Sequence, residues 1–349
     1  MGLCTAYYLA KSGRCQEIVL IEEGEVAGGA SGRAAGFLAR DWHGAPTRSL
    51  GKLSYELHEE VARELDGPAR YGYRKVASLS MHVATGLGDG SSHSHSSSWV
   101  DANNVSDVSA IEEAQGGGTA QLHPRLFCQV LLQECLSLGV QLRRARAESV
   151  DGNHKVRMSN GETIKSDAVV LCCGPWTGRV AKELWEIDVD IRDLAGHSLV
   201  IRTAGPIPPV AIFASLSSKH ATATPELFSR PDGTVYIAGE NTGAPLPPGT
   251  ASVETAEASL DRLLAACKLI SPALASGTVV ERALCYRPVT SRGYPYLCSL
   301  SDSGLPGCYI CAGHGPWGIS LSLGSGKVMS EIILDGHASS ADVPYLQKS

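Results

Sequence analysis

No apolar stretch of the chain approaches the roughly 20 residues a helix needs to cross a bilayer, so no membrane span is expected. Basic charge is also short. The 30 Lys and Arg stand against 36 Asp and Glu, a net charge of -6, which leaves no electrostatic footprint for a nucleic acid. The apolar stretch Gly2–Ala10 lacks the basic flank and cleavage site of a secretory signal, and Ala6 stands where a myristoylation start wants Ser or Thr. The 11 cysteines show no set of Cys/His spacings that suggests zinc, so no metal is expected. Adjacent Cys172 and Cys173 lie within an apolar run and read as reduced thiols, which points to a cytoplasmic location.

What is present is core material. With 349 residues and 43% hydrophobic content, the chain can build two domains. Its start, GLCTAYYLAKSG, reads as a short helix ending at Gly13, followed by the β-branched run Ile18-Val19-Leu20-Ile21 and then Glu22-Glu23. The interval from Gly2 to Glu22 matches the last glycine and the acidic residue of a dinucleotide-binding βαβ unit. The first strand and first two glycines of such a unit would lie upstream of Met1. A chain without them is expected to bind a dinucleotide poorly.

Residues 24–36 (GEVAGGASGRAAG) form a glycine- and alanine-rich loop directly after that strand, suited to close approach of backbone to a ligand. Residues 47–70 read as helix, with Leu50, Leu53, Leu57, Val61 and Leu65 at helical spacing. Residues 85–98 (TGLGDGSSHSHSSS) read as an exposed loop, and its His93 and His95 have no Cys or carboxylate partner for a metal. A helix is expected from Pro124 to about Leu138, then short strands near 140–142, 148–150 and 155–158. Asp167–Gly174 has the continuous apolar character of a buried parallel strand. Strand signals dominate 186–290, at 198–202, 210–213 and 234–238, interrupted by one helix near 253–269. The chain closes with a strand at 309–313, a loop at 315–318 and a helix from Ile319 to Leu334, stopped at Gly336.

Four segments together resemble the D-amino-acid oxidase superfamily, which includes glycine oxidase and the sarcosine oxidases. They are GLCTAYYLAKSG with IVLIEEGEVAGGASGRAAGFLA, then HPRLFCQVLLQECLSLGVQL, then SDAVVLCCGPWTG, then CYRPVTSRGYPYLC with YICAGHGPWGISLSLGSGKVMSEII. The order and spacing match over nearly the whole chain, except around 70–115. GGASGRAAGFLARDW is most similar to a branch of FAD-dependent oxidoreductases found in fungi and plants. The resemblance implies an α/β fold, with a Rossmann-like FAD-binding domain (1–45, 116–185 and 291–349). Interleaved with it would be a mostly antiparallel, α+β substrate or cap domain (46–115 and 186–290).

The same resemblance implies roles at matching positions. Gly2 is the last fingerprint glycine, Glu22 binds the adenosine ribose, and Glu23 lies beside the adenine pocket. Ala30 and Ser31 meet the pyrophosphate and ribityl groups, and Ala35, Gly36 and Phe37 line the isoalloxazine. Ala147 meets adenine through its backbone, and Gly174 ends the strand under the cofactor. His314, Gly315, Trp317, Gly318, Ile319 and Ser320 run along the pyrimidine edge. There the helix N-terminus would favour the negative charge of reduced flavin. Arg287 matches the arginine that binds the substrate carboxylate, where a guanidinium forms two parallel charge-assisted bonds. Pro316 replaces a second arginine of glycine oxidase. Cys285 falls where sarcosine oxidases attach flavin covalently, but their surrounding Met-Tyr-Thr pattern is missing, so FAD is expected to be non-covalent.

The activity implied is oxidation of an amine or amino acid, a small-molecule partner, by hydride transfer to flavin N5. Dioxygen would be the acceptor. The flavin carries such chemistry, so no triad or acid–base pair is required, and none is visible. Two other readings stay open. One is a nicotinamide-dependent dehydrogenase, against which cofactor signals recur at both ends and in the middle of the chain. The other is a flavin-binding protein with a non-catalytic trafficking or assembly role.

Overall fold

The computed structural model describes residues 1–84, 99–101, 104–111, 118–217, 222–250 and 255–347. The low-complexity segment 85–98 and Gly116-Gly117 lie outside the described residues.

Helix α1 (Gly2–Ser12) buries Cys4, Ala6, Tyr7 and Leu9 along one side and ends at Gly13. Strand β1 (Val19–Glu22) and β2 (Phe37–Ala39) follow. The expected helix over 47–70 is two helices, α2 (Arg48–Glu64) and α3 (Gly67–Tyr71), because Asp66 adopts a left-handed φ of 51° between them. Next come β3 (Arg74–Lys75), β4 (Ala77–Ala84), β5 (Val105–Ala110), β6 (Thr119–Gln121) and α4 (Pro124–Ser137). Strands β7 (Gln141–Arg144), β8 (Ala147–Val150), β9 (Lys155–Met158), β10 (Thr163–Lys165) and β11 (Val169–Leu171) lead to α5 (Thr177–Trp185).

The part richest in strands holds β12 (Arg192–Arg202), β13 (Val210–Ser217), β14 (Thr222–Ala223), β15 (Glu226–Ser229) and β16 (Thr234–Thr242). After α6 (Glu257–Ile270) and α7 (Pro272–Ala275) come β17 (Thr278–Val289), β18 (Tyr296–Leu300), β19 (Leu305–Ala312) and α8 (Gly318–Asp335).

Two parallel pairs carry the nucleotide-type part. β1 pairs with β7, and β11 pairs with β19, whose other edge takes β18 antiparallel. Helices α1, α2, α4 and α8 enclose one core, in which Tyr7, Tyr55, Val61, Phe127, Leu131 and Leu323 are buried together. Cys308 and Cys311, spaced C-x-x-C, are three residues apart on β19 and so leave the strand on opposite faces.

The large sheet has eight strands, with β14 attached to β13 and the rest in the order β17-β12-β16-β15-β13-β4-β5. Its pairings are antiparallel except β13 with β4. One face packs Leu199, Ile201, Ile212, Leu227, Val235 and Ile237 against Leu260, Leu263 and Ile270 of α6 and its end. Alternation sends Val200, Ala211, Phe228, Tyr236 and Ala238 to the opposite face, where they meet Phe37 and Ala39 of β2. Both faces are therefore covered, which is why β12 is buried continuously from Ala195 to Ile201.

Among the described residues no group of His, Cys, Asp or Glu is arranged to hold a metal ion. No helix among them is long and apolar enough to cross a membrane.

Candidate active site

The site is assembled where β1 and β11 end. One Glu22 carboxylate oxygen accepts the Gly24 N–H at 2.9 Å, which orients the side chain at the strand terminus. The parallel register sets Glu22 beside Arg144, whose guanidinium donates to the Gly24 carbonyl. Gly2, at the start of α1, faces the end of β11: a Cβ there would lie 3.5 Å from Cys172 Cβ. Gly174 follows two residues later with a φ of 56°. The fold thus brings Gly2, Glu22 and Gly174 to one rim, at the carboxyl ends of parallel strands where α/β sheets bind ligands. Ala147 opens β8 and, like Cys173, packs against the core that holds Leu171 and Ile310. Glu23 and Ser31 are exposed, and Ala30 accepts the Arg33 N–H at 3.2 Å in the turn that leads back toward β2.

A strap that the sequence reading did not single out lies over the glycine loop. The Trp176 indole N–H donates to the Pro247 carbonyl at 2.7 Å, and Arg179 donates to the Pro248 carbonyl at 2.6 Å. Thr250 then fills the space beside the loop, its Oγ1 lying 2.9 Å from an added Cβ on Gly24 and 3.3 Å from one on Gly28. Small residues at 24–29 leave room for the strap. The only sequence signal was its proline content (GAPLPPGT).

Further along, Gly36 has a φ of 90°, and a Cβ there would lie 1.8 Å from the Leu122 carbonyl oxygen. Only glycine lets this backbone turn and pair, through the Leu122 N–H to Gly36 O bond of 3.0 Å. Strand β2 is tied to the first turn of α8. Ser320 Oγ accepts the Ala39 N–H at 3.1 Å and donates to the Ala39 carbonyl at 3.3 Å. Among the described residues no side chain caps the N-terminus of α8, so the positive end of its dipole at Gly318 and Ile319 lacks a side-chain acceptor.

His314 is turned inward. Its Nε2 meets Ser325 Oγ at 2.9 Å, and burial lowers its pKa to about 3, so the ring is neutral. With its ring held by Ser325, His314 has only backbone left to offer a ligand. Trp317 packs edge-on against His43, with ring centroids 4.7 Å apart.

An aromatic wall packs directly against β2. Phe37 lies 5.1 Å from Trp42, 5.4 Å from Phe213 and 5.5 Å from Phe228, measured between ring centroids. The Tyr236 hydroxyl donates to the Arg33 carbonyl at 3.0 Å, joining the sheet to the loop before β2. Arg287, on β17, donates to Asn241 Oδ1 at 2.7 Å. Its guanidinium crosses β12 over Gly196, where a Cβ would lie 2.8 Å from one guanidinium nitrogen. Cys285 is buried opposite Gly196, and burial raises its thiol pKa.

A family model described as FAD dependent oxidoreductase (DAO) matches residues 1–332. The chain belongs to this family. It is 28% identical over 352 residues to an oxidoreductase of Schizosaccharomyces pombe, C1F5.03c, covering 94% of this chain and 89% of that one. It is also 22% identical over 365 residues to the uncharacterized oxidoreductase YurR of Bacillus subtilis, covering 96% and 92%. The glycine oxidase structure from Geobacillus kaustophilus superposes with a TM-score of 0.79 at 19% identity, covering 99% of this chain and 95% of that one. The L-proline dehydrogenase structure from P. horikoshii has a TM-score of 0.78 at 16% identity, covering 99% and 93%. These two likenesses concern the fold.

This DAO-family enzyme uses FAD, and its residues fit that group. Among the described residues the second Glu22 oxygen has no protein partner, which leaves it for a ribose hydroxyl. The glycine-rich loop gives backbone access. Beside Phe37, the Trp42 indole N–H and both ends of the Gln121 amide are buried without a partner among the described residues, and a polar ring edge can supply one. The sequence reading missed Trp42, Phe213, Phe228, Tyr236, Gly196 and Asn241. No local pattern marks them, because they converge only through strand register.

Proposed function

We propose that the enzyme oxidises an amine or amino acid that carries a carboxylate. The observation that carries this reading is Arg287, held by Asn241 at 2.7 Å on the sheet face that meets Phe37. A fixed guanidinium opposite an aromatic wall suits a planar carboxylate on a small, partly apolar molecule. When bound, FAD supplies the two-electron oxidation of the carbon next to nitrogen, with dioxygen as the final acceptor.

The chain's own residues bind and orient. Gly2, Glu22, Glu23, Ala30, Ser31, Ala147 and Gly174 hold the adenosine and pyrophosphate end. Ala35, Gly36 and Phe37 line one side of the ring. His314, Gly315, Trp317, Gly318, Ile319 and Ser320 line its pyrimidine edge, and the uncapped N-terminus of α8 favours negative charge there. Phe213, Phe228 and Trp42 exclude water from the reacting side. FAD is held without a covalent bond.

As for the parts, residues 1–45, 116–185 and 291–349 make the cofactor domain. Helix α2 joins them through its core shared with α1 and α8. The rest of 46–115, with 186–290, makes the substrate domain. The cysteines are all free, which supports a reducing, cytoplasmic setting.

The test is anaerobic titration of FAD-loaded protein with a panel of amino acids and secondary amines, read as bleaching of the flavin absorbance. A reducing substrate is expected, with kcat/KM falling at least about 100-fold in Arg287→Leu, the order for removing a charge-assisted bidentate contact. Flavin content should stay unchanged. Absence of reduction by every compound would favour a non-catalytic flavoprotein.

A further inference from the structure

A second charge shares the face of the sheet that carries Arg287. Glu226, on β15, is paired with Ala238 of β16 and with Phe213 of β13. Ala238 pairs with Ser198, and Ser198 with Ala283 on Arg287's own strand. Directly opposed residues point the same way, and alternate residues along a strand share a face. Glu226 and Arg287 therefore rise from the same side. The Arg287 guanidinium does not stay above its own strand: it crosses Gly196 on β12 and ends at Asn241 on β16. Its head is thus over the strand adjacent to β15.

Glu226 is exposed and has no hydrogen-bond or ion-pair partner among the described residues, whereas half-buried Glu240 and exposed Glu257 and Glu64 each hold one. It opens into a cavity of about 200 Å³, lined also by Ser80, Phe213, Ser215 and Thr224. Phe213 connects this cavity to the Phe37 and Trp42 rings. Surrounding protein raises the carboxyl's pKa, and the Arg287 charge opposes that rise. An exposed carboxylate that no protein group holds, on the same sheet face as the Arg287 head, is free to meet a ligand's positive charge.

We propose that Glu226 is a specificity-determining residue that receives a cationic group of the substrate while Arg287 takes its carboxylate. The site thereby selects molecules bearing both charges, and Phe213 packs against what lies between them. Gly196 and Asn241 are positioning residues in this arrangement, since together they set the Arg287 head on the Glu226 side of its strand. The inference rests on reading Arg287 as the carboxylate anchor.

The experiment uses FAD-loaded protein and matched ligand pairs: acetate with glycine, butanoate with 4-aminobutanoate, and hexanoate with 6-aminohexanoate. Binding is read from perturbation of the flavin's visible spectrum. At least one pair should favour the cationic member by about tenfold, the order for one ion pair in a partly desolvated pocket. The pair with the largest preference reports the span between the two charges. Glu226→Gln should bring that ratio near one while leaving affinity for the amine-free carboxylates within about twofold, and Glu226→Asp should keep part of the preference. A preference that survives Glu226→Gln, or parent protein that treats all three pairs alike, overturns the proposal. Arg287→Leu tests the underlying reading separately: if every carboxylate still binds it as before, the anchor assignment fails, and the Glu226 ratio is scored on its own.

Discussion

The Trp176 indole nitrogen lies 2.7 Å from the Pro247 carbonyl oxygen and ties the loop after β16 to the start of α5. With Arg179 on Pro248 and Thr250 beside Gly24, this bond closes the strap over the cofactor loop. Trp176→Phe keeps the ring and removes the donor. One hydrogen bond is worth about 1 kcal/mol, so FAD release should be roughly fivefold faster, measured by the fluorescence of flavin freed on dilution. An unchanged release rate would mean that the strap does not gate the cofactor.

The Arg287 head has room only because residue 196 has no side chain. A Cβ there would lie 2.8 Å from one guanidinium nitrogen and 3.0 Å from its central carbon. Gly196→Ala should therefore push the guanidinium away from Asn241. KM for carboxylate substrates is expected to rise about tenfold or more, consistent with a displaced anchor, while FAD content stays as in the parent. Asn241→Ala should move KM in the same direction. Loss of bound flavin in either variant would place the effect in folding instead.

Glu22 combines two tasks that substitution can separate. One oxygen holds the Gly24 N–H at 2.9 Å, and the other, without a partner among the described residues, is the one proposed for the ribose. Glu22→Gln can still accept from Gly24 but has lost its charge, and Glu22→Ala loses both functions. FAD affinity should fall in the order parent, Gln, Ala, with the Ala variant weaker by about 1–3 kcal/mol. Equal affinity in all three, by titration of the apoprotein, would remove Glu22 from the cofactor site.

Two buried histidines make stability fall with acid. Burial lowers the pKa of His58 to about 4 and of His314 to about 3, from an ordinary 6.5. Both are neutral in the fold. Below pH 6.5 the unfolded chain takes up their protons and the folded one does not, so stability is lost as pH falls from about 6.5 toward 4. Each group contributes a slope of up to about 1.4 kcal/mol per pH unit in that window. His58 donates to the Ile319 carbonyl at 2.9 Å, so His58→Gln lowers stability at every pH. The decisive reading is the slope: unfolding free energies between pH 7 and 4.5 should decline less steeply in the variant. An identical slope would mean that His58 is protonated in the fold.

Contiguous patterns were legible in the sequence, and they belong mostly to the proposed cofactor part. The interval from Gly2 to Glu22, the small-residue loop at 24–36 and the helix that stops at Gly336 each lie within one short stretch. Local sterics, capping and periodicity govern such stretches directly. Strands β4, β5, β17 and β18 were not distinguished. In β17, Glu281, Arg282 and Pro288 break the apolar pattern that would mark a buried strand. His314 was legible as part of a cofactor loop, but its inward turn toward Ser325 depended on a residue 11 positions away on the packed face of α8. The proposed reacting side was decided by tertiary structure alone. Gly196, Glu226, Asn241 and Arg287 come from four strands of one sheet, and the Phe37 segment meets them from about 160 to 250 residues earlier in the chain. Each side chain obeys only its own strand's alternation. Which of them meet is set by the register between strands, a non-local pairing that no local pattern of residues encodes.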